Sequence, residues 1–327
     1  MNKNNFRCHS YIVNGYIVIG YIAFGLALQF ATNAAFAETS AHEAAIAEIE
    51  QLSRAKQIEA SYFDMAIAAT RIYDPTVDAA SLRIQIDEMA KAAQVAWERA
   101  KSPEEKAATL SDILFKQFQF RNPRAPAPIL TGMGILDTYA LPGVLKGKSG
   151  YCEGLSTIHL LVAKQAKLPV SIINLPVHTM CRFDFDEKQI YIENTRQGTL
   201  RSAQFASAIN DATKAAAGSN IYYSPLTKKQ FLNLHVNALA YGLIMQPNGP
   251  QPLTMKQMVT LAECIERMDP KRPESLETAA LIHFNAGNKI KAVELINRTV
   301  ESAKTLGAPG WVHSHYRKMQ QKYQAAN

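Results

Sequence analysis

No run of lysines or arginines occurs anywhere in the 327 residues, although the formal net charge is +7. A scattered basic balance of that kind builds no polyanion-binding stripe, so no nucleic-acid partner is expected. Charged residues make up 19% of the chain against 47% hydrophobic, which argues against disorder. Cysteine is scarce: Cys8, Cys152, Cys181 and Cys264 are all there are. A working phosphate loop is missing too. The string Gly143-Val-Leu-Lys-Gly147-Lys148-Ser149 looks like one, but three residues separate its glycines where the loop needs four, which argues against nucleotide binding. No cofactor and no metal site is expected.

Residues 1–37 read as an export signal. Lys3 and Arg7 give a positive start, and an apolar run from Tyr11 to Phe30 is broken only by glycines, Asn14 and Gln29. Ala35-Phe36-Ala37 then has the small-x-small form of a cleavage site. An uncleaved membrane anchor is the competing reading, since the run approaches the roughly 20 residues that span a bilayer. Either way the bulk of the chain is expected to be periplasmic or secreted, with a membrane partner only if the segment stays uncleaved. Cleavage removes Cys8 and leaves an odd number of cysteines. In an oxidising compartment at least one thiol then has no partner within the chain.

Residues 38–121 read as a helical N-terminal region. Ala45, Ile49, Leu52 and Lys56 to Ile58 suggest a first helix, and Tyr62 to Ile72 a second, stopped by Asp74-Pro75. Leu82, Ile84, Ile86, Met89, Ala92 and Val95 mark a third. Ser102-Pro103-Glu104-Glu105 has the serine, proline and acids of a helix start, and that helix is expected to reach about Phe118. Residues 121–134 read as an irregular crossing. Within the core, 122–225, a helix is expected from near Cys152 to just before Leu168-Pro169, then a β-branched strand from Val170. A hairpin follows, Val177 to Phe185 and Gln189 to Asn194, turning around Asp186-Glu187-Lys188. Residues 226–327 are helical again. There Pro270, Ala280, Gly287, Ala292 and Ile296 fit one tetratricopeptide-like unit or a plain helical hairpin.

The chemistry concentrates at Cys152. Ser149-Gly150-Tyr151 leads straight into an apolar helical pattern, which puts the cysteine at a helix N-terminus, where unpaired N–H groups favour a thiolate. A cysteine nucleophile needs a base and the base an orienting group. His178 opens the hairpin; Glu193 and Asn194 close it. Side chains alternate along strands, so in a hairpin with an even-numbered turn Glu193 shares the face of His178 and Asn194 points away. Pairing Phe183 with Ile192 and Phe185 with Ile190 matches apolar residues, yet sets Glu193 opposite Arg182. That leaves it roughly 13 Å from His178, at ~3.3 Å per residue, unless the turn is tighter. Blander readings compete: a buried or Cys181-bonded Cys152, a strand-capping His178, and a Glu193–Arg182 ion pair.

The segments "ALPGVLKGKSGYCEGLSTIHLLVAKQAKLPV", "NLPVHTMCRF" and "IYIENTRQG" resemble the transglutaminase-like superfamily, and within it the bacterial SirB-type branch. The resemblance implies a papain-related fold with the nucleophile at Cys152, the base at His178 and the orienting acid at Glu193. It also implies helices before the core and tetratricopeptide-like helices after it. The fold class expected is α+β: mostly helical, with a small antiparallel-sheet core between helical N- and C-terminal regions. The function expected is that of an exported thiol enzyme on amide or acyl bonds, a peptidase or amidase rather than an acyl transferase. Its substrate would be a protein or peptide. The alternative is an inert module whose C-terminal helices dock a protein partner.

Overall fold

The computed structural model describes residues 40–123, 133–186, 188–202, 219, 221–245 and 252–326. The expected export segment lies outside them, as do much of the irregular crossing and position 187 of the hairpin turn.

The chain opens with α1 (40–54), α2 (Tyr62–Thr70), α3 (Ala79–Arg99) and α4 (Pro103–Asp112). The first helix stops short of Ile58, which is still buried, from an irregular stretch; its apolar spacing imitated a longer helix. On α3 the buried stripe is Leu82, Ile86, Met89, Ala90 and Ala93, while Ile84 and Val95 face solvent. The start of α4 follows the local signals: the Ser102 hydroxyl accepts the Glu105 N–H at 3.1 Å, with Pro103 as first residue. A π-helical turn, Ile113–Gln117, continues α4.

Two short helices precede the central one, α5 (Met133–Tyr139) and α6 (Leu141–Gly147), where no helix is expected from the sequence. Their Gly and Pro content hides them, and packing makes them. A Cβ on Gly143 would sit 2.4 Å from the Asp137 carbonyl oxygen, so the α5–α6 corner needs glycine there. The loop-like string from Gly143 to Gly147 is thus helix.

Helix α7 (Cys152–Gln165) is the centre of the molecule. Every residue from Glu153 to Ala163 is buried, and the helix packs on α3, β1 and β2. The sheet is antiparallel in chain order: β1 (Val170–Leu175), β2 (His178–Phe185), β3 (Lys188–Glu193) and β4 (Thr199–Arg201). Its register differs from expectation. Phe183 pairs with Ile190 and Cys181 with Ile192, a slip of two residues, because only positions 186 and 187 separate the strands. Phe185 needs no isoleucine opposite it: Trp97 of α3 stacks on Phe183 and Phe185, centroids 5.5 and 6.1 Å away.

The C-terminal helices are α8 (Lys228–Ile244), α9 (Met255–Met268), α10 (Pro273–Asn285), α11 (Lys289–Thr305) and α12 (Gly310–Ala325). Reciprocal caps start α8 (Thr227 with Gln230) and α9 (Thr254 with Gln257). Helices α10 and α11 form a pair turned at Gly287, φ +78°, with Ala280, Ala292 and Ile296 fully buried. The chain is α+β and mostly helical, with its small sheet flanked by helices on both sides in sequence. No described helix is long and apolar enough to cross a membrane.

Candidate active site

Helix α7 begins without a side-chain cap: Tyr151 stands at the cap position and supplies none. The first N–H groups of the helix, with the positive end of its dipole, are therefore presented at Cys152. The thiol is partly buried and free of any disulfide. Two residues on, a Cβ at Gly154 would come within 2.3 Å of the Thr138 carbonyl oxygen. The glycine lets the first turn of α7, which carries Cys152, press against the end of α5.

His178 opens β2 and Glu193 ends β3. The two-residue turn removes the separation that a longer turn would impose, and Glu193 Oε2 lies 2.9 Å from His178 Nε2. Parity did place them on one face. The other Glu193 oxygen accepts the Thr195 N–H at 3.0 Å and the Thr195 hydroxyl, which fixes the carboxylate plane. With Nε2 committed to Glu193, Nδ1 is the ring nitrogen left for Cys152, which lines the same cleft as His178. The side chains of His178 and Glu193 are 14% and 3% exposed, so their charges act in a poorly screened setting. Burial alone would keep His178 neutral. Hydrogen bonds and opposite charge from Cys152 and Glu193 outweigh it and lift its pKa to about 10. Burial would raise Glu193, but the hydrogen bond and charge of His178 hold its carboxyl below its usual value. The arrangement sets an imidazole beside the cysteine sulfur and against a carboxylate.

The blander alternatives go elsewhere in space. Arg182 pairs with Asp184 at 2.9 Å and donates to the Tyr223 carbonyl at 2.8 Å, not to Glu193. Cys181 is sealed in the core, bonding Ser156 O and Asn194 Nδ2 at 3.4 Å each, and burial pushes its thiol up to about 12. It is free and not joined to Cys152.

This stretch, 80–236, matches the family model for the transglutaminase-like superfamily. Residues 80–236 are a transglutaminase-like domain. The matched segment takes in α3 to α6 as well as the sheet, and leaves out α1 and α2. A comparison with curated proteins finds no match. Among solved structures, menin superposes with a TM-score of 0.50 and 13% identity, over 87% of this chain and 67% of menin's. That likeness is one of fold. The menin crystal structure reveals a binding site for the Mixed Lineage Leukemia (MLL) protein.

Cys152 and His178 open into a cleft of about 390 Å³, lined also by Tyr241, Glu277 and Trp311 among others. One wall is therefore supplied by the C-terminal helices. Several residues of the site gave no signal in the sequence. Glu153 lines the cleft and follows Cys152 directly; burial and the charge of Cys152 hold its carboxyl well above the usual range. Its Oε1 lies 3.9 Å from Nδ1 of His235, whose Nε2 meets Thr157 Oγ1 at 3.2 Å. Burial depresses His235 to about 4, so its ring is neutral near pH 7. Glu153 could have been suspected from its place in the first helical turn; His235, dozens of residues away, could not. Among the described residues no cluster of three or more His, Cys, Asp or Glu side chains is placed to hold a metal ion.

Proposed function

We propose that this chain is an exported thiol enzyme that hydrolyses amide or acyl bonds in a protein or peptide. The reading rests on one observation: the His178 imidazole holds the Glu193 carboxylate at 2.9 Å and shares a cleft with the Cys152 thiol. The Cys152 proton passes to His178 and the sulfur attacks the carbonyl carbon; an S–C bond forms and the carbonyl π pair moves onto oxygen. The Cys152 N–H at the uncapped helix start is placed to donate to that oxygen. His178 passes its proton to the leaving nitrogen as the C–N bond breaks, giving a thioester. It then takes a proton from water, whose oxygen displaces the sulfur and restores the starting pair. Water needs no second binding site, which favours hydrolysis over acyl transfer. Export is supported by the charged start, apolar run and small-x-small end of residues 1–37.

The test is alkylation of Cys152 by iodoacetamide at pH 6. Cys152 should react faster than free cysteine, and His178→Ala should remove the advantage. A wild-type rate equal to that of free cysteine ends this reading. It would transfer support to a second one, a protein-binding module, which the fold likeness to menin favours. On that reading the cleft and the C-terminal helices dock a protein partner without chemistry.

A further inference from the structure

We infer that Glu274 of α10 is a positioning residue for the base His178, acting through the strained residue Val177. The inference rests on the thiol-enzyme reading above and adds a control on it from the C-terminal helices.

Leu175 pairs with His178, so Pro176 and Val177 alone make the turn that delivers the base into β2. Val177 has φ +52°. That region is unfavourable for a side chain branched at Cβ. Proline followed by a positive φ is the pattern of a type II turn, whose third position is normally glycine or asparagine. A valine persists there only if its surroundings hold it. One restraint is visible: the Val177 N–H donates to Glu274 Oε1 at 3.2 Å, across 97 residues of chain. The carboxylate is itself held, accepting the Tyr222 hydroxyl at 3.1 and 3.3 Å. Tyr222 is fully buried in a strip that runs along β1, with Tyr223 N–H on Asn174 O and Leu226 N–H on Ile172 O. Three separate parts of the chain thus converge on the residue next to His178.

The valine also has a use that glycine would not. Its side chain is exposed and lines the cleft beside the thiol, so it offers apolar surface to whatever binds there. The strain and the apolar contact come together, and Glu274 keeps the former from displacing the base.

The experiment measures single-turnover acylation of Cys152 in the full chain by 4-nitrophenyl acetate, read as 4-nitrophenolate release from pH 5 to 9. Glu274→Ala should slow acylation by about 10- to 100-fold, the scale on which small misplacements act. Glu274→Gln retains a carbonyl oxygen for the Val177 N–H and should recover most of the rate. Val177→Gly in the Glu274→Ala background should do the same, because glycine holds a positive φ without help. Wild-type acylation in Glu274→Ala, or a loss that glycine at 177 does not repair, overturns the inference. If Glu274→Ala does not fold, Tyr222→Phe decides: a slowed rate with an unchanged unfolding midpoint supports the inference, and an unchanged rate overturns it. Failure of the enzyme reading is distinguishable, since the wild-type protein would then acylate no faster than free cysteine, and the inference would fall with it.

Discussion

Asn194 Oδ1 lies 3.0 Å from His159 Nδ1, and that contact ties the end of β3 to the middle of α7. The same amide donates through Nδ2 to Ser156 Oγ at 2.9 Å. Adjacent residues thus serve opposite faces: Asn194 anchors the turn into the core and Glu193 reaches the base. Asn194→Leu should leave the His159 ring without its partner, take one hydrogen bond from the Ser156 hydroxyl, and destabilise the protein by about 2–4 kcal/mol. It should also slow Cys152 alkylation, because Glu193 would lose its seat. Urea unfolding and the iodoacetamide rate check both; a stable variant with wild-type reactivity would show that the anchor does not matter.

Acid should unfold the protein partly through His159. The ring is completely buried, and burial depresses its pKa to about 4 despite the hydrogen bond to Asn194. The unfolded chain binds a proton near 6.5, well before the folded one does. Stability from keeping this ring neutral is present above 6.5 and is lost as pH falls toward 4, at about 1.4 kcal/mol per pH unit. His159→Gln cannot titrate. Its urea midpoint should therefore fall less steeply than the wild type's between pH 6.5 and 4.5, whatever the offset at neutral pH. Parallel curves would mean that His159 is not neutral in the folded state.

Gly154→Ala has a diagnostic sign. In an unencumbered helix interior the change gains about 0.5–1 kcal/mol. Here the new Cβ would lie 2.3 Å from a backbone oxygen and 2.9 Å from Val144 Cγ2. The backbone at Thr138 has to move, and a loss of about 1–3 kcal/mol is expected. Thermal unfolding measures it, and stabilisation would disprove the close approach of α5 to α7.

Local signals carried a large part of this protein. The Ser102 start of α4, the helix beginning at Cys152 and the alternation of faces in the hairpin were all legible, because each depends on residues a few positions apart. The alternation had a further property. Side chains repeat every two residues along a strand, so a register wrong by two still put His178 and Glu193 on the same face. The shared face could be named while its distances were wrong. What the chain alone did not decide was the register, α5 and α6, and the cleft wall built by α10 and α12. The two-residue turn became readable only once Trp97 was seen covering Phe185, and the α5–α6 corner only once Gly143 was seen against Asp137. Glu274 reaches the residue before the base from far along the chain. Such contacts depend on where whole elements come to rest, and no spacing in the sequence encodes that.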